Sequence, residues 1–375
     1  MSLTSPALVW VLALLVVASG AGTVWVWPRL SRTRIVTVLG RLGLLALVNA
    51  GVLLLSLALL NDQFQFFSDW ADLVGAASTQ AVAAGAGGPA SLAADTPVAD
   101  PGASVLAAQS FAVGAWGGNT VYTVIGGRSG VTSQVLVVLP KGYTDPSNSR
   151  RRYPVLMGFG GYPSTVTQLA SGFHISDVLA GVQGHHEIGP VIAVFLQPWT
   201  PAGRDTECVD GPSGPAVETW AAVDVPAWLR LSFRTATVRS GWATWGMSAG
   251  AWCATMLAML HPGTFGAAIS LGGYYRPAWG NWRPFASGDP RLRRYDLVAL
   301  ASSSPPPVAV WMFTSKPDQL GYPSTRALMA AARPPLSITA RVAASGGHRF
   351  TTWEPWLPVA LAWLGHNVRG FAPSR

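Results

Sequence analysis

Trp245-Gly246-Met247-Ser248-Ala249-Gly250-Ala251 is the stretch on which the reading of this chain turns. It has the form Gly-x-Ser-x-Gly. A strand-like run, Ser240 to Trp245, leads into it, and a helix-like run, Ala251 to Leu260, leads out. In that context the five residues describe a strand–turn–helix elbow. The turn is so sharp that side chains two positions either side of the serine would collide. Gly246 and Gly250 remove them and leave Ser248 at the tip, with its hydroxyl presented and a helix N-terminus behind it.

The chain has 375 residues, enough for one large domain plus an appendage. Half of them are hydrophobic and only 11% are charged, so membrane segments are expected. The net charge is +8, yet only Lys141 and Lys316 are lysine, and the arginines are scattered. No basic helix or nucleic-acid motif appears, so the excess does not mark a nucleic-acid partner. No Cys-x-x-Cys, His-Glu-x-x-His or calcium-loop pattern is present, so neither a metal nor a cofactor is expected. His185-His186-Glu187 sits in a glycine-flanked loop without ligand spacing and reads as surface.

Ala7 to Trp27 is uncharged over 21 residues, long enough to cross a bilayer as a helix. Leu42 to Leu60 is a second apolar run, broken only by Asn49 and Ser56. Between them lie Arg29, Arg32, Arg34 and Arg41 with no acid; beyond the second run come Asp62, Asp69 and Asp72. The positive-inside rule puts the arginine loop in the cytoplasm and the bulk of the protein outside. A cleaved signal peptide is the alternative for the first run, but the basic start it requires is missing. Phe64, Phe66, Phe67 and Trp70 read as an interfacial aromatic belt. The expected organisation is a two-helix membrane anchor over residues 1–75, an Ala/Gly/Pro-rich linker over 76–104, and one α/β domain over 105–375.

Within that domain, apolar strand-like runs fall at Val121 to Ile125, Gln134 to Leu139, Pro154 to Phe159 and Val191 to Leu196. Others follow at Gly241 to Trp245, Ala267 to Leu271, Val308 to Phe313 and Ser337 to Ala343. Glu218 to Phe233 and Trp353 to Val368 have helical spacing. The alternation implies a mostly parallel sheet covered on both faces.

A serine hydroxyl is a weak nucleophile at neutral pH. It needs a base, and the base needs an orienting acid. Three histidines follow Ser248. His261 ends the elbow helix and suits a cap, and His366 lies within the closing helix. His348, in Gly346-Gly347-His348 just after the last strand, stands where a base must. The acid belongs at the end of the preceding strand, which selects Asp318 over Asp289 and Asp296, in a Pro- and Arg-rich segment, and over Glu354, at a helix start. A tetrahedral oxyanion needs two N–H donors. Ala249 supplies one, and the Gly160-Gly161-Tyr162 loop supplies the other through Tyr162 or Gly161. Outside the cell, Cys208 and Cys253 are able to form a disulfide beside the elbow; two free buried thiols are the alternative. The aromatic segment Trp279 to Phe285 lines a cleft or packs a loop.

Four stretches carry a family resemblance: Tyr153-Pro-Val-Leu156 with its glycine loop, Trp245 to Gly250, His261-Pro-Gly-Thr-Phe265 leading to Ser270-Leu-Gly-Gly273, and Gly346-Gly-His348 followed by Trp353. Together they resemble the esterase D and antigen 85 mycolyltransferase branch of the α/β-hydrolases, over about residues 120 to 368. The resemblance implies an extracytoplasmic serine esterase or acyltransferase with Ser248, Asp318 and His348 as triad. There are departures. Gly160-Gly161 stands where esterase D has His-Gly, the mycolyltransferases use Glu as the acid, and they are released rather than anchored. The expected partners are the lipid bilayer and a small-molecule or cell-envelope ester. A non-catalytic surface module that retains the fold is the alternative function.

Overall fold

A computed structural model of the chain describes residues 3, 5–30, 35–64, 67, 70–74, 81–87, 95–98, 108–199, 203–280 and 282–373. The chain divides into two compact units. The smaller comprises Met1–Gln80 with Lys316–Gln319 and Ala344–Arg349. The larger comprises Ala81–Ser315, Leu320–Ala343 and Phe350–Arg375.

In the smaller unit, α1 (Pro6–Val26) and α2 (Ile35–Phe64) are both long and apolar enough to cross a membrane. Ser5 caps α1 by accepting a hydrogen bond from the Ala7 N–H, and Pro6 occupies its first turn. α2 starts well before the apolar run at Leu42 and takes in Arg41. Its 30 residues span about 45 Å, more than the roughly 30 Å of hydrocarbon in a bilayer. Two of the arginines between the apolar runs lie against tryptophan rings. The Arg41 guanidinium lies 4.9 Å from the Trp27 ring centroid, and that of Arg29 lies 3.9 Å from Trp25. Arg32, Arg34 and Phe66, and the side chain of Phe64, lie outside the described residues.

The larger unit is built on ten strands, which are β1 (Ala81–Gly87), β2 (Gln109–Trp116), β3 (Asn119–Ile125), β4 (Thr132–Val138), β5 (Val155–Phe159), β6 (Ile192–Leu196), β7 (Trp242–Met247), β8 (Ala267–Leu271), β9 (Ala309–Ser315) and β10 (Ser337–Ala343). They form one sheet in the order β1-β10-β9-β8-β7-β5-β6-β4-β3-β2. The six from β10 to β6 are mutually parallel, and β1, β4, β3 and β2 are antiparallel to their neighbours. This is the mostly parallel sheet that the alternating runs imply, and it has the α/β-hydrolase architecture that the resemblance implies. Two strands were not legible. β1 lies in the Ala/Gly stretch expected as a linker, where no apolar run marks it, and it pairs as an edge with β10. β2 is exposed along most of its length, so burial imposed no pattern on its sequence.

The central strands are buried on both faces, and alternate residues feed two separate cores. On one face Val155, Met157 and Phe159 meet Trp252, Met256 and Leu257 of the elbow helix (Ala249–Leu260). On the other, Leu156, Trp245 and Trp311 meet Leu357, Leu361 and Leu364 of the closing helix (Leu357–Asn367). Trp245 is fully buried between Phe173 and Phe195, edge to face with both. Gly158 on the neighbouring strand makes room for it: a Cβ there would stand 2.5 Å from the indole nitrogen. Glu218 to Phe233 forms a helix interrupted by a π segment, Trp220–Asp224. The π turn ends at the buried Asp224, whose carboxylate accepts from the N–H groups of Arg128 and Ser129 at the β3–β4 turn. Just before β7, the buried Arg239 donates to the carbonyls of Pro262, Phe265 and Pro307.

Cys208 and Cys253 are joined in a disulfide with Cα atoms 5.6 Å apart, pinning the 205–210 loop to the elbow helix. The bridge closes a span of 45 residues. Removing it, by reduction or by Cys208→Ser with Cys253→Ser, is expected to lower stability by about 4 kcal/mol through the larger entropy of the unfolded chain. Denaturant unfolding with and without dithiothreitol measures the difference, and coincident midpoints would contradict it.

Candidate active site

β7 ends at Met247, and Ser248 turns the chain into the elbow helix with φ 53° and ψ −124°. A non-glycine residue rarely holds this geometry, which costs on the order of 1–3 kcal/mol. Three contacts fix it. The Ser248 N–H donates to the Leu271 carbonyl at 2.9 Å, and the Ser248 carbonyl accepts from the N–H groups of Ala251 and Trp252 at 2.9 and 3.1 Å. The flanking glycines are compelled by space. A Cβ on Gly246 would stand 2.2 Å from the Gly250 oxygen, and one on Gly250 would stand 2.0 Å from the Phe159 oxygen. Those are backbone atoms of the turn itself and of β5, so nothing flexible is there to yield.

The loop after β5 lies against the elbow. A Cβ on Gly161 would be 3.4 Å from the Ser248 Cβ. The loop is folded on itself by Ser164, whose N–H and hydroxyl both donate to the Gly161 carbonyl, at 2.8 and 2.6 Å. Tyr162 is partly exposed. Its hydroxyl donates to the Gly203 carbonyl and its ring meets Trp199 edge to face at 5.4 Å. Gly161, Tyr162 and Ala249 thus all sit at the elbow, in the larger unit.

Asp318 and His348 belong to the smaller unit, in the short segments that follow β9 and β10. The structure brings them together: Nδ1 of His348 is 3.0 and 3.1 Å from the two Asp318 carboxylate oxygens. The carboxylate is fully buried and the imidazole nearly so, with 14% of its side chain exposed. A proton on Nδ1, donated to Asp318, fixes the tautomer that leaves Nε2 basic.

The other candidates have structural employment. His261 closes the elbow helix, with Nε2 2.7 Å from Glu218 Oε1. His366 pairs with Glu187 on the surface. Asp289 and Asp296 pair with Arg291 and Arg276. Phe285 packs against both Trp279 and Tyr295, and Trp279 and Tyr295 also line an open cleft of about 300 Å³. Among the described residues, no group of three or more His, Cys, Asp or Glu is placed to hold a metal.

Sequence reasoning passed over Glu207, the residue before Cys208. Both have positive φ, 48° and 54°. Glu207 is buried under the elbow helix, accepting from the Tyr274 hydroxyl at 2.7 Å, while Tyr274 stacks on Trp252. Burial, with the nearby Asp205 charge adding to it, pushes its carboxyl up to about 8. Glu218 shows the reverse. Burial alone would raise it, but hydrogen bonds from His261, Arg294 and Tyr295 bring it down to about 2. The sign for Glu207 follows from linkage: a folded value above the ordinary 4.5 means the folded state holds a proton that the unfolded chain releases. Stability contributed by that group is lost as pH rises from about 4.5 to about 8. Glu207→Gln keeps the acceptor and removes the titration. The variant is expected to gain melting temperature over wild type progressively across that window and to match it below pH 4.5. Thermal unfolding across a pH series in detergent reads the gap, and a gap that does not change with pH would refute the assignment.

The family described as "Putative esterase" matches residues 128–364. An uncharacterized protein of Corynebacterium glutamicum is 27% identical over 143 residues, 38% of this chain and 33% of its own length. The chain therefore spans about a third of the curated relative it matches. Among solved structures, a ferulic acid esterase is 19% identical with a TM-score of 0.53, covering 71% of this chain and 100% of its own. An S-formylglutathione hydrolase from Agrobacterium tumefaciens is 14% identical with a TM-score of 0.55, covering 70% and 100%. At such identities the structural likeness shows the fold. The family match spans well over half of the chain, and the protein belongs to this esterase family, on an α/β-hydrolase fold.

Proposed function

We propose that the protein is a membrane-anchored serine esterase or acyl transferase. Its reacting groups lie on the outer side of the bilayer, and it acts on an ester of a lipid, sugar or cell-envelope component. The observation that carries the reading is the strained Ser248 elbow, held by backbone contacts that leave no alternative residue at Gly246 or Gly250. The Asp318–His348 hydrogen bond supports it. So does topology. β7 to β10 run parallel, and Ser248 follows directly on β7, while Asp318 and His348 lie three and five residues beyond β9 and β10. Parallel neighbours deliver their C-terminal ends to one sheet edge.

In this mechanism Ser248 Oγ attacks the ester carbonyl while Nε2 of His348 accepts its proton. Asp318 orients the imidazole and stabilises its charged form. The N–H of Ala249, with that of Gly161 or Tyr162, stabilises the oxyanion. The imidazolium protonates the leaving alcohol, and water or an acceptor hydroxyl then resolves the acyl-enzyme. Placement follows from the arginines flanking the helices: Arg29 and Arg41 hold their connection in the cytoplasm and direct the reacting unit outward.

A fluorophosphonate probe on membranes tests the reading. Wild type is expected to label, and Ser248→Ala to lose the label entirely. Asp318→Asn is expected to retain the fold and lose activity by about 10³–10⁴-fold through the wrong imidazole tautomer. A folded wild type that takes no label would instead favour a non-catalytic surface module. Assaying free acid against acylated acceptor separates hydrolysis from transfer.

A further inference from the structure

In the mechanism above the two oxyanion donors belong to different elements of the larger unit. Ala249 starts the elbow helix, and Gly161 and Tyr162 lie in the loop after β5. One segment, residues 203–208, is bonded to both elements. Towards the β5 loop, the Gly203 carbonyl accepts from the Tyr162 hydroxyl. Towards the elbow, the Glu207 carbonyl accepts from the Trp252 indole N–H at 2.8 Å, and Cys208 is bridged to Cys253. Trp252 is also a residue whose backbone N–H donates to the Ser248 carbonyl.

Glu207 is the centre of this brace. Its backbone holds Trp252, and its carboxyl holds the Tyr274 hydroxyl at 2.7 Å. The two rings stack, with centroids 6.0 Å apart and planes 8° from parallel. Tyr274 follows closely on Leu271, whose carbonyl accepts from the Ser248 N–H. Glu207 therefore grips both supports of the serine backbone. The segment itself is pinned. The Thr206 hydroxyl donates to the Pro198 carbonyl at 3.1 Å and accepts from the Cys208 N–H at 3.2 Å, and Asp205 accepts from the Glu207 N–H at 3.0 Å. Glu207 and Cys208 are successive non-glycine residues in the left-handed region, a conformation that persists only where the surroundings impose it and that gathers at functional sites. Packing alone does not call for a carboxyl there, since an apolar side chain of similar volume fills buried space without desolvating a polar group.

We propose that Glu207 is a positioning residue for the oxyanion hole: through Trp252 and Tyr274 on one side and the Gly203–Tyr162 bond on the other, its loop sets the spacing between the Ala249 N–H and that of Gly161 or Tyr162. This rests on the serine esterase reading above and adds to it a residue that acts through others. Preorganised donors act where charge develops in the transition state, so an error in their spacing lowers kcat and leaves KM in place. The titratable groups that act on the carboxyl are Asp205, on its own loop, and Tyr274. Neither supplies a positive charge. As pH rises through about 8, the ionised carboxylate is repelled by Asp205 and the brace loosens.

Full-length protein in detergent, assayed below its melting temperature with p-nitrophenyl acetate and a fluorophosphonate, tests this. Label at saturation counts folded sites, whereas the labelling rate and kcat read the placement of the donors. Glu207→Ala is expected to lower kcat and labelling rate about 10²-fold, with KM and saturating label as in wild type. Tyr162→Phe keeps the backbone N–H and cuts only the tie to Gly203; it is expected to lower both rates about tenfold. Glu207→Gln stands in for the protonated acid. It is expected to restore wild-type kcat at pH 7 and to abolish the fall in kcat that wild type shows as pH rises through about 8. If Glu207→Ala takes no label at saturation, Tyr162→Phe and the Glu207→Gln pH profile decide. Wild-type kcat in Tyr162→Phe, or an alkaline fall that Glu207→Gln retains, would overturn the inference. So would a raised KM at constant kcat in Glu207→Ala. A folded wild type that neither labels nor hydrolyses the ester would overturn the esterase reading and this role with it.

Discussion

Backbone-to-backbone contact between the elbow and the end of β5 is the constraint on which the remaining architecture depends. Gly250 lies against the carbonyls of Phe159 and Gly160, and Gly246 against Gly250 and Phe159. Phe159 pairs with Gly246 in the β5–β7 register. A shift of that register by one residue would place side chains where only hydrogen atoms fit. The two central strands therefore have one permitted alignment, and the serine inherits its position from it. Gly158 extends the same logic by yielding its volume to Trp245.

Around this centre the two cores work differently. The face under the elbow helix carries polar groups deep inside, among them Glu207, Tyr274 and Glu218. The opposite face is aromatic and aliphatic, with Trp245, Trp311, Phe173 and Phe195. Two buried carboxyls on the first face are accommodated differently: three donors, His261, Arg294 and Tyr295, hold Glu218 charged, whereas Glu207, with the Tyr274 hydroxyl, is held protonated by burial. The disulfide holds the loop that carries Glu207 against the helix that carries the elbow.

What could be read from the sequence divides along physical lines. The eight strands buried on at least one face announced themselves as apolar or alternating runs, because burial selects composition. β1 and β2 did not, since edge and exposed strands answer mainly to backbone pairing, which any small residue satisfies. The elbow was legible because a steric requirement acts directly on residue identity. The Asp318–His348 pair was legible by chain order. Glu207 was not, as its role arises from a residue 67 positions later, Tyr274, with no local pattern. The early start of α2 was hidden by Arg41, whose charge is masked by a ring, Trp27, from the other helix's end.

Arg239 has a consequence of its own. One guanidinium gathers the carbonyls of Pro262, Phe265 and Pro307, so the connections that re-enter the sheet before β8 and β9 share a single rivet. It sits at the strand beginnings, remote from Ser248. A fold fastened from beneath in this way sets where two strands begin independently of the loops at their far ends. Loss of that one side chain would leave three carbonyls without their common donor and loosen both connections at once.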